Sequence, residues 1–115
     1  MSEYLVLIYE DEKAMETASA DLFGKMMEDH RVFGETYGAA IRGGNALQPT
    51  VSATSLRRNG SGELGITDGA FAETKEALGG YYVIEAADLD EAIAIASHVP
   101  APLGGVEVRP IRVFD

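Results

Sequence analysis

The chain has 115 residues, no cysteine, and 19 acidic against 9 basic side chains, for a formal net charge of -10. That length suits one domain whose folding buries roughly two-thirds of the surface the unfolded chain exposes. The missing cysteines exclude disulfides, thiolate metal sites and cysteine nucleophiles, and with Arg57 and Arg58 as the one adjacent basic pair there is no basic stripe for a phosphate backbone, so nucleic acid is not expected as a direct partner.

The opening MSEYLVLIYEDE lacks a basic region, and its apolar run is too short for a signal peptide or a membrane span, which makes a cytoplasmic protein the expectation. Within it, Glu3 to Glu10 is rich in β-branched and aromatic residues and apolar on both faces, as a central strand covered on both sides would be. After the acidic DEKAMETASAD, a helix is predicted from an N-cap at Ser19 to about Ile41, stopped by Gly43 and Gly44. Leu22, Met26, His30, Phe33, Tyr37 and Ile41 then form one stripe, so His30 points inward.

A short strand around Ala46 to Gln48 is cut by Pro49. Ser52 to Arg58 and Glu63 to Asp68 read as paired strands, with Asn59-Gly60 between them as a turn of two residues that tolerate positive φ. Tyr81 to Ala86 is the next strand. Asp88 and Glu91 form a capping box that opens a helix burying Leu89, Ala92, Ile93 and Ala96, and Gly105 to Phe114 is the last strand. No solenoid repeat or linker divides the chain, so residues 1–115 read as one domain. The order is βα, an inserted β-hairpin, then βαβ: an α+β fold of the ferredoxin-like split βαβ type.

The stretch TDGAFAETKEALGGYYVIEAADLDEA, with VPAPLGGVEVRPI after it and YLVLIYEDE and Leu47-Gln48-Pro49 before it, resembles the DGPF family, a branch of the YCII-related proteins. The signature DGPFAETKExLGG is complete except that Ala70 stands where the family has proline, which removes a rigid turn residue. The resemblance implies a dimeric α+β barrel, in which two ferredoxin-like sheets pack face to face and leave a cleft near the interface. It also implies a possible histidine and aspartate pair in that cleft, and for DGPF members a link to extracytoplasmic-function sigma factors.

Two functions follow as expectations. The first is a small-molecule cleft with acid/base chemistry such as elimination or isomerisation, with His30 as base, Asp68 as its orienter, and Arg58, Glu73, Lys75 and Glu76 binding the ligand. Imidazole titrates near neutral pH, which suits the role, while the bland alternative is a core histidine bonded to a neighbouring hydroxyl. The second function is a noncatalytic ligand-binding or protein-interaction module associated with an extracytoplasmic-function sigma factor, the link the resemblance implies. For Asp68 the plain reading is a turn residue, and for Lys75 with its flanking acids it is surface ion pairing. Gly79-Gly80 lies in no phosphate-cradling motif, and no cofactor is expected. No metal is expected either, since no second histidine stands four residues from His30.

Overall fold

Strand β1 spans Ser2–Asp11, and its alternation decides how the rest of the chain packs. Tyr4, Val6, Ile8 and Glu10 are buried on one face, while Leu5, Leu7 and Tyr9 on the other face stay partly exposed. The computed structural model, which describes residues 1–71 and 74–114, puts β1 inside a four-stranded antiparallel sheet of order β2-β5-β1-β6. Here β2 is Ile41–Ala46, β5 is Glu76–Ala86 and β6 is Gly104–Pro110.

Helices α2 (Ala20–Tyr37) and α3 (Leu89–Ala96) make the two crossovers, each stepping over one strand, which is the split βαβ order. They cover the Tyr4, Val6 and Ile8 face: Phe33, Ala92, Ile95, Ala96 and Val99 join Ile84 and Ala86 in one apolar cluster. Each large side chain sealed there contributes about 1.5–3 kcal/mol relative to exposure. Both helices start where side chains satisfy their orphan amides, Ser19 accepting from the Leu22 N–H and Asp88 from the Glu91 N–H. Glu91 reaches back to the Ala87 N–H at 3.2 Å.

Several sequence-based boundaries move: the strand expected at Ala46 to Gln48 is β2, ending at Ala46, β5 begins at Glu76 rather than Tyr81, and β6 ends at Pro110 rather than Phe114. Helix α2 ends at Tyr37 rather than near Ile41, because the chain turns at Gly38, with the Ala40 N–H donating to Tyr37 at 2.8 Å, and Ile41 is needed in β2 opposite Ile84. Gly43 and Gly44 therefore lie inside a strand. A Cβ on Gly44 would meet the Tyr81 carbonyl oxygen at 2.7 Å, so that glycine lets β2 close on β5 and does not stop a helix.

Between β2 and β5 the chain makes a separate hairpin from β3 (Thr54–Arg58) and β4 (Leu64–Asp68). Its turn is not the Asn59-Gly60 pair expected. Positive φ falls at Gly62, +85°, and the Asn59 side chain staples a longer loop by accepting from the N–H groups of Ser61 and Glu63, each at 3.0 Å. No hairpin residue belongs to the core cluster, and the molecule measures 48 × 47 × 17 Å with a radius of gyration of 16.3 Å. A closed domain of this length would have about 13 Å.

Candidate functional site

Two clefts hold Asp68, Lys75 and His30 among the candidate residues, one at the root of the hairpin and one beneath α2. At the root, β1 ends on Asp11, whose carboxylate caps the short helix α1 (Glu12–Glu16) by accepting from the Ala14 N–H at 3.1 Å. Glu12 then grips Thr50 with both oxygens, accepting from its N–H at 3.0 Å and from its hydroxyl at 2.8 Å. That clamp fixes the segment after Pro49 against the start of α1. On the other side, Gly69 takes φ +94°, a conformation that favours glycine, and is tied to β3 by its N–H donating to Ala53 at 2.7 Å and its carbonyl accepting from the Ser55 hydroxyl at 2.6 Å. Thr74 stabilises the exit into β5 by donating to the Glu76 carbonyl at 2.6 Å.

These segments enclose a cleft of about 830 Å³ whose polar lining includes Asp11, Lys13, Thr50, Asp68, Thr74 and Lys75. Among the described residues, the side chains of Lys13, Asp68 and Lys75 make no hydrogen bond or ion pair with one another or with a neighbour. The cleft thus offers two ammonium groups and a carboxylate to a ligand, beside the Thr50 and Thr74 hydroxyls already engaged.

The second cleft, about 280 Å³, is lined mainly by apolar surface: Ile8, Met27, His30, Gly44 and Tyr82 among others. His30 stacks on Tyr82 with ring centroids 5.9 Å apart, and its Nδ1 shares a 2.8 Å hydrogen bond with the Tyr82 hydroxyl. Burial lowers the His30 pKa, with the Asp29 carboxylate opposing it, and burial raises that of Tyr82. Both groups are therefore favoured in their neutral forms near neutral pH.

The candidate residues divide accordingly. Asp68 and Lys75 meet in the polar cleft, whereas His30 lies in the apolar one, so within one chain the histidine and the aspartate do not share a cleft. Arg58 is at the far end of β3, where it donates to the Gly62 carbonyl at 2.9 Å and lines neither cleft. Its neighbour Arg57 stacks on Phe71, 4.5 Å from the ring centroid, beside the signature loop. Glu76 opens β5 opposite Asp11, and its charge helps raise the pKa of Glu10. Burial is the larger cause there, opposed by the Leu103 N–H that donates to Glu10 at 2.9 Å. Glu73 lies outside the described residues.

Sequence reasoning missed Lys13, Glu12, Thr50 and Tyr82. The first two sit in an acidic run that reads as a solvated helix start, and Thr50 follows a proline with no motif of its own. Tyr82 was within reach: in β5 it shares a sheet face with Ile84 and Ala86, both buried under the helices, and an inward tyrosine wants a partner for its hydroxyl. Among the described residues no group of three or more histidine, aspartate or glutamate side chains is placed to hold a metal, and no helix is long and apolar enough to cross a membrane.

An antiparallel α+β sheet with two helices on one face, an inserted hairpin and a polar cleft at its root defines the class of protein. The YCII-related domain matches residues 2–115, and the chain belongs to that family. It is similar to an uncharacterized protein of Rhizobium meliloti (strain 1021), 38% identical over 116 residues, which cover 96% of this chain and 93% of the relative.

Proposed function

We propose that this YCII-related chain binds a small polar molecule in the cleft at the root of the hairpin and works as a homodimer through the open face of its sheet. The observation that carries the binding reading is the convergence of Lys13, Lys75 and Asp68 from three separate segments on one cleft of about 830 Å³. Two ammonium groups suit a carboxylate or another anionic oxygen, and Asp68 suits an amine or hydroxyl on the same molecule. The ligand class is a small carboxylate bearing a hydrogen-bond donor, such as an amino or hydroxy acid.

Support for the dimer comes from Leu5, Leu7, Tyr9, Tyr81 and Val83, partly exposed on the sheet face that the helices leave open. Two such faces stacked together would make the α+β barrel that the family resemblance implies.

Acid/base chemistry is the second reading, and one contact favours it. A neutral His30 whose Nδ1 is engaged by Tyr82 keeps Nε2 for a substrate in an apolar cleft, where the tyrosine in place of Asp68 sets the ring's orientation.

Thermal-shift measurement against a panel of amino, hydroxy and dicarboxylic acids tests the binding reading. At least one panel member should stabilise the native protein, and Lys75→Met or Asp68→Asn should remove that stabilisation while the surface control Lys25→Met keeps it. A panel with no stabilising member, or stabilisation indifferent to both cleft substitutions, would leave the interaction-module reading ahead.

A further inference from the structure

We propose that Ser55 and Arg57, neither of which lines the polar cleft, are positioning residues for it: from one face of β3 they hold the signature loop at Gly69 and Phe71, and so set where Asp68 stands. The inference rests on the binding reading above and adds the residues that tune its affinity.

Asp68, Gly69 and Ala70 line the cleft, and among the described residues the Asp68 side chain makes no hydrogen bond or ion pair. The place of its carboxylate is therefore set by the path of the backbone around it. Up to Asp68 that path is the β4 ladder, whose last pair is Thr54 with Asp68. Beyond it two side chains of β3 take over. The Ser55 hydroxyl donates to the Gly69 carbonyl at 2.6 Å, and the Arg57 guanidinium lies 4.5 Å from the centroid of the Phe71 ring. Ser55 and Arg57 are alternate residues of one strand, so both project from the same face, and they meet the loop at two residues with the same spacing. Across the ladder Arg57 faces Gly65, which presents no side chain to compete for that face.

The chemistry of the outer anchor suits the ligand class. A carboxylate at position 71 would also hold Arg57, but it would add negative charge beside a cleft that must attract an anionic oxygen. An aromatic ring holds the guanidinium by its face and leaves the positive charge in place. Arg57 and Phe71 are both exposed, Phe71 at 66%, so losing the stack opens no cavity in the core and acts on the loop.

Calorimetric titration tests the role with the panel acid that gives the native protein its largest thermal shift. Hydrogen exchange at the Gly69 amide, which donates to Ala53 at 2.7 Å, tests it without ligand. Arg57→Ala and Phe71→Leu should each weaken binding about two- to fivefold, the ratio that an exposed cation–π contact is worth. The double variant should bind no more weakly than either single one, since both remove the same contact. Phe71→Trp keeps an aromatic face and should bind like the native chain. Ser55→Ala should also weaken binding, whereas Ser55→Thr, which keeps the hydroxyl, should not. Exchange at Gly69 should quicken in Arg57→Ala, Phe71→Leu and Ser55→Ala. Native affinity in these variants, or losses that multiply in the double variant, would overturn the positioning role, and unaltered Gly69 exchange would overturn the anchor itself. A native chain that binds no panel acid would overturn the binding reading and the affinity role with it, and faster Gly69 exchange in the variants would then place the failure in the ligand and not in the anchor.

Discussion

The two clefts are built from different materials. The His30 cleft is walled by strands of one sheet and a helix on its core side, with Ile8, Gly44, Gly80 and Tyr82 held in register by the ladder. The Asp68 cleft is walled by the start of α1, a turn after Pro49 and the signature loop, held by side-chain clamps such as Glu12 on Thr50. A ladder resists deformation along its whole length, whereas a clamp fails one bond at a time. The apolar cleft should thus have one shape, and the polar cleft should adapt to its ligand.

The largest expected effect is on the rigid side. Gly44→Ala sets a methyl group 2.7 Å from the Tyr81 carbonyl and 3.0 Å from Tyr82 Cδ1, so β2 must move away from β5. We expect a loss of about 1–3 kcal/mol by urea denaturation. The His30 pKa should also return toward its ordinary value as the cleft opens. An unchanged stability would mean that this wall gives as easily as a loop.

On the other side, Glu12→Ala removes both bonds to Thr50 and should cost about 1 kcal/mol, with faster hydrogen exchange at the Thr50 amide and no effect on the His30 titration. A change in that titration would couple the two clefts and break the distinction.

The third expectation concerns pH. The folded chain holds the His30 pKa below the value of about 6.5 that the unfolded chain restores. Between the two values the unfolded state binds more protons, so this contribution to stability is fully present above the unfolded value and is lost progressively as pH falls toward the folded one. His30→Leu should flatten that part of the stability profile, and Asp68→Asn should leave the His30 titration where it is, since the two residues line separate clefts. A titration shifted by Asp68→Asn would restore the histidine and aspartate pair.

The smallest effect belongs to the signature turn. Ala70 has negative φ, so Ala70→Pro should stabilise by about 0.4–1 kcal/mol where that angle is near -65°. Thermal melting measures it, and a loss would mean that the turn departs from the path proline imposes.

The sequence by itself determined the parts of this protein that local chemistry controls. The β-branched and aromatic run in Glu3 to Glu10 makes a strand, Ser19 and Asp88 start helices because their oxygens meet orphan amides, and Asp68-Gly69 turns because glycine accepts φ +94°. The α+β class followed from the order of those elements. Tertiary structure decided what depends on neighbours distant in sequence. Ile41 continues the helical stripe on paper, yet pairing with Ile84 draws it into β2. His30 is visible as an inward histidine, but only the fold gives it Tyr82, 52 residues away, in place of Asp68. Glu12 becomes part of a cleft wall because the chain returns at Thr50. Periodicity and capping act within a few residues, whereas a site is a coincidence of segments, and only the packed sheet specifies which segments coincide.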